Sequence, residues 1–77
     1  MKDDLFLRKV GENIKRIRLE KGLTQVELGD MCNSEKSTIY RLESGKTNPT
    51  ALTLKKIAES LEVSPGELLR VEERRKK

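Results

Sequence analysis

Residues 24–43 read TQVELGDMCNSEKSTIYRLE, a pattern that predicts two short helices joined by a tight turn. Thr24 and Glu27 are spaced as a capping box, in which the threonine oxygen and the glutamate carboxylate satisfy unpaired backbone amides at a helix start. A helix is therefore expected to begin at Gln25. Asn33 lies where the chain must reverse, and asparagine tolerates the left-handed backbone conformation that such a turn requires.

Apolar positions on either side of this turn predict the buried faces of the two helices. In the earlier helix, the expected buried stripe is Leu28, Met31 and Cys32. The next helix is expected to open with Ser34 or Glu35 near its cap and to extend for about nine residues. It ends before Gly45, and its residues Ile39 and Leu42 point inward.

Two further helices are predicted before and after this pair. Apolar residues recur at helical spacing over residues 5–21, and Gly22 follows as a stop, so this segment is the expected first helix. Thr50 is expected to cap a fourth helix. The apolar face of that helix is Leu54, Ile57, Ala58 and Leu61.

A fifth helix is predicted near the C-terminus. Ser64 and Glu67 are spaced as another capping box, with Pro65 at the first helical position. No strand pattern, internal repeat or linker is recognisable. We therefore expect residues 1–77 to form a single all-α domain of five helices, with residues 70–77 as a basic tail.

Composition excludes several classes of protein. The chain has 77 residues, of which 34% are hydrophobic and 39% charged, enough for one small core. Cys32 is the single cysteine and histidine is absent, which excludes an internal disulfide, a zinc finger and a Cys/His catalytic pair. No paired nucleophile and base, metal-ligand set or phosphate loop is recognisable, so we expect no enzyme activity, metal or cofactor. Because no apolar run is long enough to span a membrane and residues 1–9 lack a secretory signal, we expect a cytoplasmic protein without a membrane partner.

The net charge of +4 suggests an anionic partner only weakly. Residues 70–77 contain five basic and two acidic residues, which leaves the rest of the chain at +1. The placement of the basic residues therefore matters more than their number.

Several segments, in this order, resemble the Cro/phage-repressor family of helix-turn-helix proteins, also called the XRE family. The resemblance covers residues 14–69 and is carried by IKRIR at 14–18, GLTQ at 22–25, EL at 27–28, STI at 37–39, RLE at 41–43, GKTNP at 45–49, TLKKIA at 53–58 and VSPGELL at 63–69. It implies a transcriptional regulator that binds a double-stranded DNA operator with the second helix of the motif in the major groove. At this length we expect no separate domain for a small-molecule effector. Small restriction-modification controller proteins and phage Cro proteins are similar in this respect.

The helix after the turn has one side expected to pack and one expected to be presented. At about 100° per residue, Thr38, Ile39 and Leu42 share the packing side. The presented side contains Lys36, Ser37, Tyr40, Arg41 and Ser44. Its ammonium, hydroxyl, phenol and guanidinium groups suit base edges, so the candidate base-reading residues are Lys36, Ser37, Tyr40 and Arg41. A merely solvated polar face is the alternative.

The resemblance also implies contacts to the DNA backbone. Thr24 and Gln25 match the start of the family's phosphate-binding helix, where amides and the positive dipole end face a phosphate. Thr24 acts as a cap first, whereas the Gln25 side-chain amide is expected to be free to reach outward. Lys46 and Asn48 match a second backbone clamp, although loop lysines are often merely solvated.

Arg18 and Glu43 match a pair that in the family links the first helix to the end of the recognition helix, the second helix of the motif. Such an ion pair orients that helix.

Four positions depart from the usual pattern: Gly29, Asn33, Ser34 and Glu35. Gly29 lowers helix propensity by about 1 kcal/mol relative to alanine but keeps the two helices close. The carboxylate of Glu35 is repelled by DNA phosphates unless it accepts a hydrogen bond from a cytosine amino group. Alternatively, its negative charge only stabilises the N-terminus of the helix.

Two other classes of function stay open beside a DNA-binding regulator: a helical protein-interaction module, such as an antitoxin-like or scaffold partner, and an enzyme. An interaction module would need a large exposed apolar patch on the third helix, which presents polar residues instead.

The C-terminal apolar residues exceed what one short helix needs, so we expect a homodimer through the fifth helix and the end of the fourth. These residues are Leu61, Val63, Leu68, Leu69 and Val71.

Overall fold

The structure, a computed structural model, describes residues 1–72. They form five helices: α1 (Asp3–Glu20), α2 (Gln25–Met31), α3 (Lys36–Glu43), α4 (Ala51–Leu61) and α5 (Pro65–Leu69). The predicted all-α, five-helix fold is confirmed for this part of the chain, which contains no strand. Of the predicted basic tail, residues 73–77 lie outside the described residues.

All five helices contribute to one apolar core. Its largest fully buried side chains are Ile14, Leu28, Ile39, Ile57, Leu61 and Leu68. Burying each of these side chains contributes about 1.5–3 kcal/mol to the free energy of unfolding. The face of each helix that contains them therefore turns inward. The expectation that Met31 is buried is wrong, since its side chain is 52% exposed. Met31 is the last residue of α2, and its side chain lies over a surface depression shared with Lys56 and Glu59 of α4.

The first helix begins slightly earlier than predicted. The carboxylates of Asp3 and Asp4 lie in its first turn, where they interact favourably with the positive end of the helix dipole. The helix ends at Glu20. Gly22 follows with a φ of 73°, the left-handed conformation expected of a residue that stops a helix.

Side-chain caps define the starts of two later helices. The Thr24 hydroxyl oxygen accepts from the Glu27 amide at 3.0 Å, and the Glu27 carboxylate accepts from the Thr24 amide at 2.8 Å, which confirms the capping box of α2. Thr50 caps α4 through its hydroxyl oxygen, as predicted. The capping box predicted for α5 is wrong. The Ser64 side chain caps no amide, because the Glu67 amide donates to the Ser64 carbonyl oxygen instead, at 3.0 Å.

The turn between α2 and α3 has the predicted conformation. Asn33 has a φ of 60°, and the Ser34 amide donates to the Gly29 carbonyl oxygen at 2.7 Å. A Cβ atom at Gly29 would lie 2.6 Å from the Ser34 carbonyl oxygen, so glycine at this position allows the close approach of α2 to the turn. With Glu35 as its N-cap residue, α3 begins at Lys36 and has 8 residues, slightly fewer than predicted.

Candidate nucleic-acid interface

The two sides of α3 differ in the way that the sequence predicts. Ile39 is fully buried and Leu42 nearly so, and they anchor the helix against α1 and α2. The opposite side exposes the four candidate base-reading residues, Lys36, Ser37, Tyr40 and Arg41. Within residues 1–72, the side chains of Lys36, Ser37 and Arg41 form no hydrogen bond or ion pair. Their donor groups are therefore available to a ligand.

A buried ion pair fixes the C-terminal end of α3. Arg18 donates from Nε to Glu43 Oε2 at 2.6 Å and from Nη2 to Glu43 Oε1 at 3.0 Å, so the contact is bidentate. Its Nη1 donates to the Leu23 carbonyl oxygen at 2.7 Å. The Arg18 and Glu43 side chains are 7% and 3% exposed, so neither charge has a substantial aqueous alternative. The pair implied by the family resemblance is thus present, and it joins α1 to α3.

Gln25 differs from expectation, because its side-chain amide is not free. Its Nε2 donates to Glu43 Oε1 at 3.0 Å, and the side chain is half-buried. A carboxamide nitrogen has two hydrogens, so one stays available when the other is held by the carboxylate. Thr24 beside it is exposed and engaged in the capping box. The start of α2 is therefore connected to the end of α3 through Glu43.

The loop after α3 places the second pair of candidate phosphate-binding residues. Lys46 and Asn48 are both exposed. The Lys46 amide donates to the Arg41 carbonyl oxygen at 3.0 Å, and its ammonium lies 5.9 Å from the centroid of the Tyr40 ring. Such a cation–π contact holds the ammonium only weakly at an exposed site. Lys46 therefore lies beside the presented face of α3, close to its C-terminal end.

Sequence reasoning missed Gly11 and Asn13 on α1. A Cβ atom at Gly11 would lie 2.4 Å from the Leu42 carbonyl oxygen and 2.6 Å from that of Glu43, so only glycine permits this approach of α1 to α3. An isolated glycine within a helical pattern was the available signal. Asn13 Nδ2 donates to the carbonyl oxygens of Leu68 and Arg70, at 3.0 and 2.9 Å, and no local pattern indicates so distant a partner.

The apolar surplus on which the dimer expectation depended is mostly core. Leu61 and Leu68 are buried within the chain, and Val63 and Val71 pack partly against the same core. The reason is that α5 closes the core by packing on both α1 and α4. Leu69, with 42% of its surface exposed, is the one of the five that the structure leaves largely open.

Residues 1–72 were also compared with the requirements of a membrane-spanning helix and of a metal site. None of the helices in this part of the chain is both long and apolar enough to cross a membrane. The same residues contain no group of three or more acidic or cysteine side chains arranged to hold a metal ion.

The geometry of α2, the turn and α3 agrees with comparisons to known proteins. The family described as Helix-turn-helix matches residues 14–68. The chain belongs to this family. The matched range agrees with the residues that carry the resemblance to the Cro/phage-repressor family, and this helix-turn-helix chain presents α3 as the second helix of the motif.

Individual relatives of this helix-turn-helix chain include regulators and controller proteins. It is 43% identical over 60 residues to an uncharacterized HTH-type transcriptional regulator, y4dJ, of Sinorhizobium fredii, with 78% of each chain covered. The restriction-modification controller protein C.AhdI from Aeromonas hydrophila has a TM-score of 0.79 and 31% identity, over 80% of this chain and 94% of that one. The C.Esp1396I controller protein, whose tetramer was solved in complex with its natural 35 base-pair operator, has a TM-score of 0.72 and 37% identity, over 84% and 96% of the two chains.

Proposed function

We propose that this helix-turn-helix chain is a transcriptional regulator that binds specific sequences of double-stranded DNA with α3 in the major groove. The observation that carries the proposal is the contrast between the two sides of α3. Ile39, Leu42 and Glu43 are buried, while the side chains of Lys36, Ser37 and Arg41 on the other side have no hydrogen-bond partner within residues 1–72. A helix fits the major groove, whose base edges offer the acceptors that such donors recognise.

In this proposal, base reading and backbone contact are assigned to different residues. Lys36, Ser37, Tyr40 and Arg41 face the base edges. Thr24 and Gln25 at the start of α2, together with Lys46 and Asn48 in the loop, contact phosphates. The hydrogen bond from Gln25 to Glu43 supports this assignment for Gln25, because it fixes the orientation of the second amide hydrogen.

We also propose that the chain acts as a homodimer. The tetrameric operator complex of C.Esp1396I supports an assembly of several copies on one DNA duplex. A two-fold dimer would place two copies of α3 about 34 Å apart and would select a nearly palindromic site. Since most of the C-terminal apolar residues are committed to the core, Leu69 is the residue of α5 assigned to the interface.

The proposal also concerns the domain organisation and the cellular location of the protein. The apolar core shared by all five helices supports one DNA-binding domain. We infer a cytoplasmic location from the proposed DNA-binding role, since the operator would be found there. No catalytic step is assigned to it, and no cofactor is needed for the contacts described.

Selection of bound sequences from a random duplex pool tests the function. We expect enrichment of one sequence with two related half-sites separated by one helical turn, and a binding constant that falls steeply with salt. Equal retention of all duplexes, or no retention at low salt, would contradict a sequence-specific regulator and favour the protein-interaction module.

Sedimentation velocity tests the dimer. We expect Leu69→Glu to raise the dimer dissociation constant at least about tenfold, because it places a charge where the proposed interface would bury an apolar side chain. Leu52→Glu is the matched control, because Leu52 is 71% exposed and lies in the first turn of α4, away from α5. It should leave the assembly unchanged. A parent chain that is monomeric at micromolar concentration and still binds a non-palindromic site would contradict the dimer.

A further inference from the structure

The N-terminal part of α1 precedes the region that matches the family. The family match begins at residue 14, whereas α1 begins at Asp3. Residues 3–13 therefore form roughly three helical turns before the matched region. This segment is called the α1 extension below, and it contains the exposed residue Arg8.

The α1 extension packs directly against the loop that carries Lys46. Gly45 has a φ of 75°, and a Cβ atom there would lie 2.6 Å from Arg8 Cα and 2.9 Å from Arg8 Cγ. The glycine thus lets the backbone of Arg8 and the stem of its side chain contact the loop. Arg8 is therefore placed next to the loop assigned to the DNA backbone, although the two segments are far apart in sequence.

The guanidinium of Arg8 has no partner among the residues that the structure describes. Within residues 1–72 it forms neither an ion pair nor a hydrogen bond. Asp4, one turn earlier, instead accepts from the Leu5 amide at 2.9 Å. Arg16 of the same helix differs, because it pairs with Glu20 at 3.3 Å.

We propose that Arg8 is an additional phosphate-binding residue, which extends the DNA interface from Lys46 onto α1. The inference rests on the proposed function, since it needs a duplex lying along α3. A guanidinium is suited to this role because its parallel N–H groups bind phosphate oxygens in a bidentate manner. Its contact with Gly45 fixes the first part of the side chain and reduces the freedom lost on binding.

The test compares two arginines of one helix in the full chain. Arg8→Ala and Arg16→Ala remove the same charge, but only Arg8 lies against the loop. Each variant is titrated with the selected operator and with a scrambled duplex at several salt concentrations, and its folding is checked by circular dichroism. We expect Arg8→Ala to reduce the magnitude of the salt slope by about one and to weaken both duplexes about fivefold at 0.15 M salt, because one fewer counterion is released.

Arg16→Ala should leave the slope of the parent unchanged, and Arg8→Lys should keep the slope because it keeps the charge. Equal slopes for Arg8→Ala and the parent would overturn the inference while leaving the proposed function intact. A parent chain that binds no duplex, or binds without any salt dependence, would overturn both.

Discussion

The two ends of α3 are held very differently. At the C-terminal end, Glu43 accepts hydrogen bonds from Arg18 and Gln25, and Gly11 lets the backbone of α1 approach the last turn. At the N-terminal end, the side chains of Lys36 and Ser37 are exposed and make no hydrogen bond within residues 1–72. The orientation of the helix is thus set at one end, and the other end is left available to a ligand.

The largest effect is expected at the fixed end. Glu43→Leu leaves the Arg18 guanidinium buried without its carboxylate, and an unpaired buried charge lowers the free energy of unfolding by about 3–5 kcal/mol. Urea denaturation of the parent and variant measures this loss. If instead the variant loses only a few tenths of a kcal/mol, the C-terminal end of α3 is held by packing alone.

A double variant distinguishes the lost pair from a general packing defect. Arg18→Met combined with Glu43→Leu removes both charges, and replacing a buried pair by apolar residues is often neutral. We expect it to recover most of the stability lost by the single variant. Failure to recover would indicate that leucine cannot be packed at this position.

At the available end, Lys36→Ala should change recognition without changing the fold. If Lys36 donates to a guanine edge, its loss weakens operator binding by about 1–3 kcal/mol and relaxes the preference at one base pair, with a much smaller effect on scrambled duplexes. Titration of both duplexes at several salt concentrations measures these effects.

Lys46→Ala is the matched comparison, because it also removes one exposed lysine. We expect it to weaken all duplexes by similar factors and to reduce the magnitude of the salt slope by about one, with sequence preference retained. Identical behaviour of the two variants would show that Lys36 binds phosphate and that Ser37, Tyr40 or Arg41 read the bases.

The turn before α3 determines how its available end is positioned. Asn33 has a φ of 60°, which disfavours a β-branched side chain, so Asn33→Val should lower the free energy of unfolding by about 1–2 kcal/mol. Asn33→Gly should be nearly neutral, since glycine adopts this conformation without a clash. Thermal denaturation compares them, and equal midpoints for the valine variant and the parent would contradict this account of the turn.

The contrast between the ends of α3 also shows what could be predicted from sequence. The Thr24 cap, the Asn33 conformation and the buried faces of α3 and α4 depend on neighbours within a few residues, so local patterns predicted them correctly. Met31 was mispredicted, since its exposure depends on where α4 lies. The isolated glycine at position 11 signals an unusual site in a helix but not the segment that approaches it. The Gln25 hydrogen bond joins two distant segments, which no local pattern encodes.

Gln25 is bound to the fixed end of α3 through Glu43 and is also a proposed phosphate-binding residue, and its removal is expected to have the smallest effect. If Gln25 binds phosphate, Gln25→Ala should weaken operator binding by about 0.5–1.5 kcal/mol, the usual contribution of one hydrogen bond. The salt slope should stay unchanged, because a neutral amide releases no counterion. Stability should change less, since Glu43 keeps both hydrogen bonds from Arg18.

The neighbouring Val26→Ala is the control, because Val26 is 49% exposed and its side chain has no hydrogen-bonding group. Operator titrations over a range of salt, together with urea denaturation, separate the two roles of Gln25. Unchanged operator affinity with a reduced free energy of unfolding would show that Gln25 only supports Glu43. Reduced affinity at every salt concentration, with the parent's slope and only a small change in stability, would instead show that the side-chain amide of Gln25 contacts the DNA backbone.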